Sequence, residues 1–370
     1  MFRKTFAEID LQAIHHNLGE IKKITGSSVK ILLPVKADAY GHGITEVSKF
    51  IQETGSADVL GVASIDEGIE LRNSGITIPV LVLGLSLNSR EEIEAVINYK
   101  LSQTIASEEE AEAFESTAGN KNSSVNVHLK IDTGMGRIGS SPEQSIDIIK
   151  KISAMKNIKL EGIFSHMPLS DDINSPFNLF QIKKFSEIID KAKKETGLEF
   201  ISHLANSAAI INYKDSFFDM VRPGIAVYGY SNASDLKNKI EFIPAMTFKS
   251  SIIFKKRVTS GTPLSYGHTY KTAEDSNIAT VSVGYGDGYP RSLSNKSKVI
   301  INNKKYPVVG RVCMDQILVN LGNDSYPVGE EVILFGRKII TADDVAQWAN
   351  TIPYEITCSV SRRVPRVYLK

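Results

Sequence analysis

The chain changes its hydrophobic rhythm partway along. From residue 29 to 225, short runs of β-branched and apolar residues alternate with amphipathic stretches. The runs predict strands over 30–36, 58–63, 79–83, 101–105, 124–131, 158–165, 200–204 and 218–221. Between them, Ser89 to Ile97 and Gln144 to Met155 carry helical spacing. The 176–196 segment repeats apolar residues at Phe177, Phe180, Ile182, Phe185, Ile188, Ile189 and Ala192. An opening helix over Leu11 to Thr25 takes Asp10 as its N-cap. Eight strands, each followed by a helix or loop, predict an α/β fold whose first part is a (β/α)8 barrel. A doubly wound open sheet would need a glycine fingerprint after its first strand, and none is present.

Beyond residue 235 the runs shorten and Gly, Asn, Asp and Pro separate them. Met246 to Phe254, Asn277 to Val283, Lys298 to Ile301, Tyr306 to Val309, Gln316 to Val319 and Glu331 to Phe335 predict strands, with one late helix over Ala342 to Ala349. The expected organisation is a barrel over 1–235 and a strand-rich domain over 236–370. A length of 370 residues accommodates both.

Composition removes several function classes. Charged residues are 23% and balance to +1, with no long basic run, so neither nucleic acid nor an anionic membrane is indicated. Apolar runs such as Val80 to Leu83 are far too short to cross a bilayer. The Met1 to Phe6 start has basic residues but no apolar stretch behind it, and a cytoplasmic location is the expectation. Cys313 and Cys358 are too few for a disulfide framework and wrongly spaced for zinc.

The chemistry-bearing residues gather at the C-terminal ends of the expected strands, where barrels of this kind place their active sites. Lys36 ends the first, and Tyr40, Gly41 and Gly43 follow it into a helix. A lysine at such a mouth loses solvation, so its pKa falls and its amine can form a Schiff base. Lys130 to Gly139, with Arg137, ends the fifth; Ser165-His166 the sixth; His203 to Ser207 the seventh; Val221 to Ile225, with Arg222 and Gly224, the eighth.

These motifs, together with Ser265-Tyr266-Gly267, Gly284 to Gly288 and Gly310 to Asp315, make the chain resemble the bacterial alanine racemases along nearly its whole length. The resemblance implies pyridoxal 5′-phosphate as cofactor, carried by Lys36. It also implies a two-base mechanism in which Lys36 and Tyr266 act on opposite faces of the substrate carbon, Tyr266 coming from the partner in a homodimer. An unperturbed tyrosine is a poor base at neutral pH, so its site would have to lower its pKa, with His166 as a neighbour.

By the same resemblance, Tyr40, Tyr354, Asn206, Ser207, Gly224 and Ile225 would hold the phosphate. Asn206-Ser207 reads equally as a simple helix cap and Tyr354 as a packing residue. Arg222 would face the pyridine nitrogen, held by His203, and Arg137 the phenolic oxygen. Lys130 matches a position often carbamylated in the family. Met314 would bind the substrate carboxylate, with Tyr285, Asp171, Arg291 and Arg311 along the entry. Met167 to Ser170 departs from the family pattern and leaves substrate selectivity open between alanine and serine or a broader range. A decarboxylase would place a carboxylate, not Arg222, at the ring nitrogen, and a non-catalytic carrier would lack the second domain. The implied role is supply of D-alanine for peptidoglycan.

Overall fold

In a computed structural model, which describes residues 3–230 and 240–370, the eight expected barrel strands form a closed parallel ring. They are preceded by a strand the hydrophobic pattern does not announce, β1 (Phe6–Asp10). The ring consists of β2 (Lys30–Pro34), β3 (Val59–Val62), β4 (Val80–Val82), β5 (Ser102–Ile105), β6 (Val125–Lys130), β7 (Ile158–Phe164), β8 (Ile201–His203) and β9 (Met220–Val221). Closure comes from β9, which pairs with β2 through Lys30–Met220 and Ile31–Val221. Leu32, Leu81 and Met220 pack together among the buried barrel strands.

β6 departs from the apolar filling usual in such barrels. Side chains alternate across a strand, so Asn126, His128 and Lys130 share one side of β6. His128 and Lys130 are almost fully buried. The neighbouring β7 makes room: a Cβ on Gly162 would lie 2.3 Å from Nδ1 of His128. A glycine is therefore what lets that ring fit.

The second domain is an antiparallel sheet built around a long bulged strand, Met246–Val258. That strand pairs on one edge with Ser276–Val281 and on the other with Glu331–Phe335, and the sheet closes on itself. The chain's two ends meet here: β1 runs antiparallel to Met246–Lys249 and parallel to Arg366–Leu369. Thus Phe6–Asp10, expected inside the barrel domain, lies in the second sheet. The expected division at 235/236 falls outside the described residues. Asp10 caps the helix Leu11–Thr25, accepting from the Ala13 N–H at 2.9 Å, so one residue ends the sheet strand and starts the barrel's first helix. Among the described residues, no helix is long and apolar enough to cross a membrane.

Candidate active site

The first mouth residue sits differently from the expectation. Strand β2 stops at Pro34, not at Lys36, because the next residues turn left-handed: Ala37, Asp38, Ala39 and Tyr40 have φ of 53°, 57°, 52° and 55°. A run of L-residues in this region costs roughly 1–2 kcal/mol each, so the surroundings must hold it. They do. The Ala37 N–H donates to Glu67 and the Ile44 N–H to Asp38, each at 2.8 Å. His42 contacts the carbonyls of Ala39 and Tyr40 at 3.0 Å, and the Tyr40 ring stacks on Tyr228 with centroids 4.9 Å apart. A Cβ on Gly41 would strike the Thr357 carbonyl. The turn presents Lys36 and Tyr40 at the barrel mouth, and the helix that follows starts at Ile44 with Gly43 as its cap.

Burial lowers the pKa of the Lys36 amine, and the positive charges of Arg137 and Arg222 add to the effect. A larger fraction of that amine is unprotonated at neutral pH than on an exposed lysine. Arg222 is almost fully buried, and burial pulls its pKa down to about 9, which leaves it a cation at neutral pH. Its Nη1 donates to Nδ1 of His203 at 2.8 Å, and its Nη2 donates to the carbonyls of Ser165 at 2.7 Å and Leu204 at 3.0 Å. Phe164 is the floor beneath this group. Its ring stacks on His203 at 4.7 Å and lies 4.8 Å from the Lys130 amine and 5.3 Å from the Arg222 guanidinium.

His166 stands beside Arg222, with Nδ1 3.4 Å from Nη2. Burial first, then the Arg222 charge, brings its pKa down to about 2, so it is a neutral ring. Within this chain its neighbour is Arg222, not Tyr266. The Lys130 amine is buried with no hydrogen-bond partner. Burial and the nearby arginines hold its pKa well below the usual lysine range. Arg137 is exposed on the loop after β6, a turn pinned by Asp132, which accepts from the N–H groups of Gly134, Met135 and Gly136.

On the other side of the mouth, Ser207 Oγ accepts from the Gly224 N–H at 2.8 Å. The Tyr354 ring lies 5.8 Å from that of Tyr40, and Ile225 is buried beside them. Asn206 uses its side chain as a cap, accepting from Ala209 N–H at 3.0 Å and from Ser170 Oγ at 2.8 Å. The divergent Met167–Ser170 stretch is thereby tied to that cap, since Asn206 Nδ2 also donates to the Met167 carbonyl. A cavity of about 250 Å³ opens between His166, Asp171, Asn206, Ile225 and Tyr354.

Tyr266 and Met314 are not in this group. They stand on the second domain, 71% and 54% exposed. Ser265 Oγ donates to the Arg311 carbonyl at 2.8 Å, and the N–H groups of Tyr285 and Gly286 donate to the Cys313 and Met314 carbonyls. Tyr266, Met314, Tyr285 and Arg311 therefore belong to one exposed face. Sequence reasoning missed His128 and Glu161, which contact each other within the barrel; the available signal was the alternation of polar residues with apolar ones, Asn126, His128 and Lys130 along one strand and Lys159 and Glu161 along the next.

Fold and site together define a two-domain (β/α)8-barrel protein with a half-buried lysine and a buried arginine gathered at the barrel mouth. The model of the alanine racemase N-terminal domain matches residues 9–232, and that of the alanine racemase C-terminal domain matches 245–368. The chain belongs to the alanine racemase family, which are isomerases. The alanine racemase of Halothermothrix orenii is 44% identical over 370 residues, covering 99% of this chain and 97% of its own. The solved alanine racemase of Clostridium difficile superposes with a TM-score of 0.94 at 40% identity, over 100% of this chain and 96% of that one. That of Bacillus anthracis, solved with bound L-Ala-P, superposes with a TM-score of 0.92 at 35% identity, over 100% and 96%.

Proposed function

We propose that this protein interconverts L- and D-alanine with pyridoxal 5′-phosphate, as a homodimer in the cytoplasm, and supplies D-alanine for peptidoglycan. The observation that carries the reading is the desolvated Lys36 amine set beside Arg137 and Arg222 at the barrel mouth.

The residues fit the cofactor. A phosphate needs hydroxyl and N–H donors in a tight cradle: the Tyr40 hydroxyl and Ser207 Oγ meet at Gly224, whose missing side chain leaves that hydroxyl room, and Ser207, Ile225 and Tyr354 line one cavity. Lys36 would hold the aldehyde carbon, Arg222 would face the ring nitrogen and Arg137 the phenolic oxygen. When bound, the cofactor supplies the electron sink that acidifies the substrate Cα–H.

The protein's own groups do the rest. Lys36 moves a proton at Cα on one face. Racemisation needs a second acid/base on the other, because a single base returns the proton to the side it left. Tyr266 of a second copy fills that role, with Met314 of the same copy binding the carboxylate; their exposure on one face of the second domain supports this. Arg222 keeps its proton, so the ring nitrogen is not protonated by it and the sink stays moderate, which limits side reactions. The unpartnered Lys130 amine supports its conversion to a carbamate that would orient Arg137.

The test is L-alanine incubated with protein and pyridoxal phosphate in heavy water, followed by chiral chromatography. An approach to equal L- and D-alanine, with α-deuterium in the product, is expected. Bound cofactor with no D-alanine would overturn the assignment and direct the search to serine.

A further inference from the structure

We propose that Glu161, at the opposite end of the barrel from the reaction, is a positioning residue that acts through His128 and His203 to set how Arg222 is held. The proposal rests on the reading of Arg222 as the group facing the cofactor ring, and its first test does not depend on that reading.

The geometry leaves one consistent arrangement of protons. Nη1 of Arg222 lies 2.8 Å from Nδ1 of His203, and a guanidinium has no acceptor, so that nitrogen must be bare. Burial, reinforced by the Arg222 charge, holds the His203 pKa well below its usual value, so the neutral ring carries its proton on Nε2. That N–H points at Nδ1 of His128, 3.0 Å away, which must therefore accept. The remaining His128 proton is on Nε2 and donates to Oε2 of Glu161 at 3.2 Å.

Every bond in the series donates in one direction, from a buried cation to a carboxylate. Ser102 and Asn126 also donate to that carboxylate, at 2.6 and 2.9 Å. Burial alone would raise the Glu161 carboxyl, but the hydrogen bonds from His128 and Ser102 outweigh it and its pKa falls. Glu161 precedes Phe164 by three residues, about 10 Å along β7, and its outer edge lines a cleft with Ser102, Asn126 and Arg72. Gly162 holds the chain together from within, since a Cβ there would displace the His128 ring.

The carboxylate's role is to choose the tautomer. Without an acceptor at position 161, His128 can carry its proton on Nδ1. His203 would then have to accept at Nε2 and carry its own proton on Nδ1, pointing at Arg222. Two donors would face each other and the guanidinium would move off its present line.

Neutron diffraction from crystals of the deuterated holoenzyme reads the arrangement directly. Deuterium on Nε2 and none on Nδ1, in both His128 and His203, is expected near neutral pH. Deuterium on Nδ1 of either ring would overturn the proposal without any variant being made. Glu161→Leu removes the acceptor at similar size and should lower kcat at least tenfold, with the KM for alanine changed less than threefold and the absorbance of the bound cofactor shifted. Glu161→Gln keeps a carbonyl acceptor and should restore kcat to within threefold of wild type. Wild-type kcat and absorbance in Glu161→Leu, or equal loss in both variants, would also overturn it. Failure of the wild-type protein to form D-alanine would remove the racemase reading and leave the neutron result to decide the proton arrangement.

Discussion

The Tyr40 hydroxyl and Gly224 meet so closely that a Cβ on residue 224 would stand 2.8 Å from the hydroxyl oxygen. Stacked on Tyr228 and almost fully buried, Tyr40 has no room to swing aside. The glycine is required for space here, not for backbone conformation. Gly224→Ala should therefore weaken pyridoxal phosphate binding by roughly tenfold or more, about 1.4 kcal/mol, as followed by absorbance in a cofactor titration. Unchanged affinity would mean that the phosphate lies elsewhere.

Tyr266→Phe removes one hydroxyl from an exposed ring and should not disturb the fold. Loss of a positioned acid/base typically costs on the order of 10²–10⁴ in rate, so racemisation should fall by at least the lower figure. Lys36 remains on its own face. Exchange of the α-proton with heavy water, read by NMR, should therefore persist for one alanine enantiomer and fail for the other. Exchange that survives equally for both would remove Tyr266 from the mechanism.

A buried amine whose pKa is held well below the usual lysine range can lose its proton and add carbon dioxide: the nitrogen–carbon bond forms and a further proton leaves to solvent. For Lys130 this converts a repulsive neighbour of Arg137 and Arg222 into an anion between them. Bicarbonate should raise the melting temperature of the wild-type protein, and Lys130→Met should abolish that response. An identical response in the variant would place the effect elsewhere.

Arg222→Lys replaces a fork of donors with one ammonium. It cannot serve His203, the Ser165 carbonyl and the Leu204 carbonyl together, and each buried acceptor left without a donor costs about 1–3 kcal/mol. The urea midpoint of the cofactor-free variant should drop accordingly. A midpoint equal to wild type would show that the site relaxes around the smaller cation.

Three histidines make the cofactor-free protein sensitive to mild acid. Burial lowers His42 to about 4 and His166 to about 2, and it holds His203 well below its usual range. The unfolded rings titrate near 6.5, so between there and the folded values the unfolded chain binds more protons. Their contribution is fully present above about pH 6.5 and is lost below it, at up to about 1.4 kcal/mol per pH unit for each ring. Unfolding free energies from denaturant titrations at pH 7.5 and 5.5, both above the range where most carboxylates titrate, should differ by several kcal/mol. Equal stabilities would show that these rings titrate in the folded protein as they do in the unfolded chain.

Much of this protein could be read along the chain. The strand and helix periods mark the eight barrel strands, Lys298–Ile301, Glu331–Phe335 and the helix Ala342–Ala349, because each buries a face whose spacing matches its own geometry. Lys36, Arg222 and His203 could be singled out because barrel topology sends the ends of parallel strands to one rim. Other features depended on contacts between distant segments. Phe6–Asp10 and Arg366–Leu369 are strands because they pair with each other and, through β1, with Met246–Lys249. The left-handed turn after Lys36 opposes local preference, and Tyr228, Glu67 and Thr357 hold it from far along the chain. The line from Arg222 to Glu161 likewise has no sequence period, since its hydrogen bonds join different strands, and the one between His203 and His128 spans from β8 to β6 across β7. Local spacing records which face of an element is buried, and only the packed barrel decides which polar groups meet inside it.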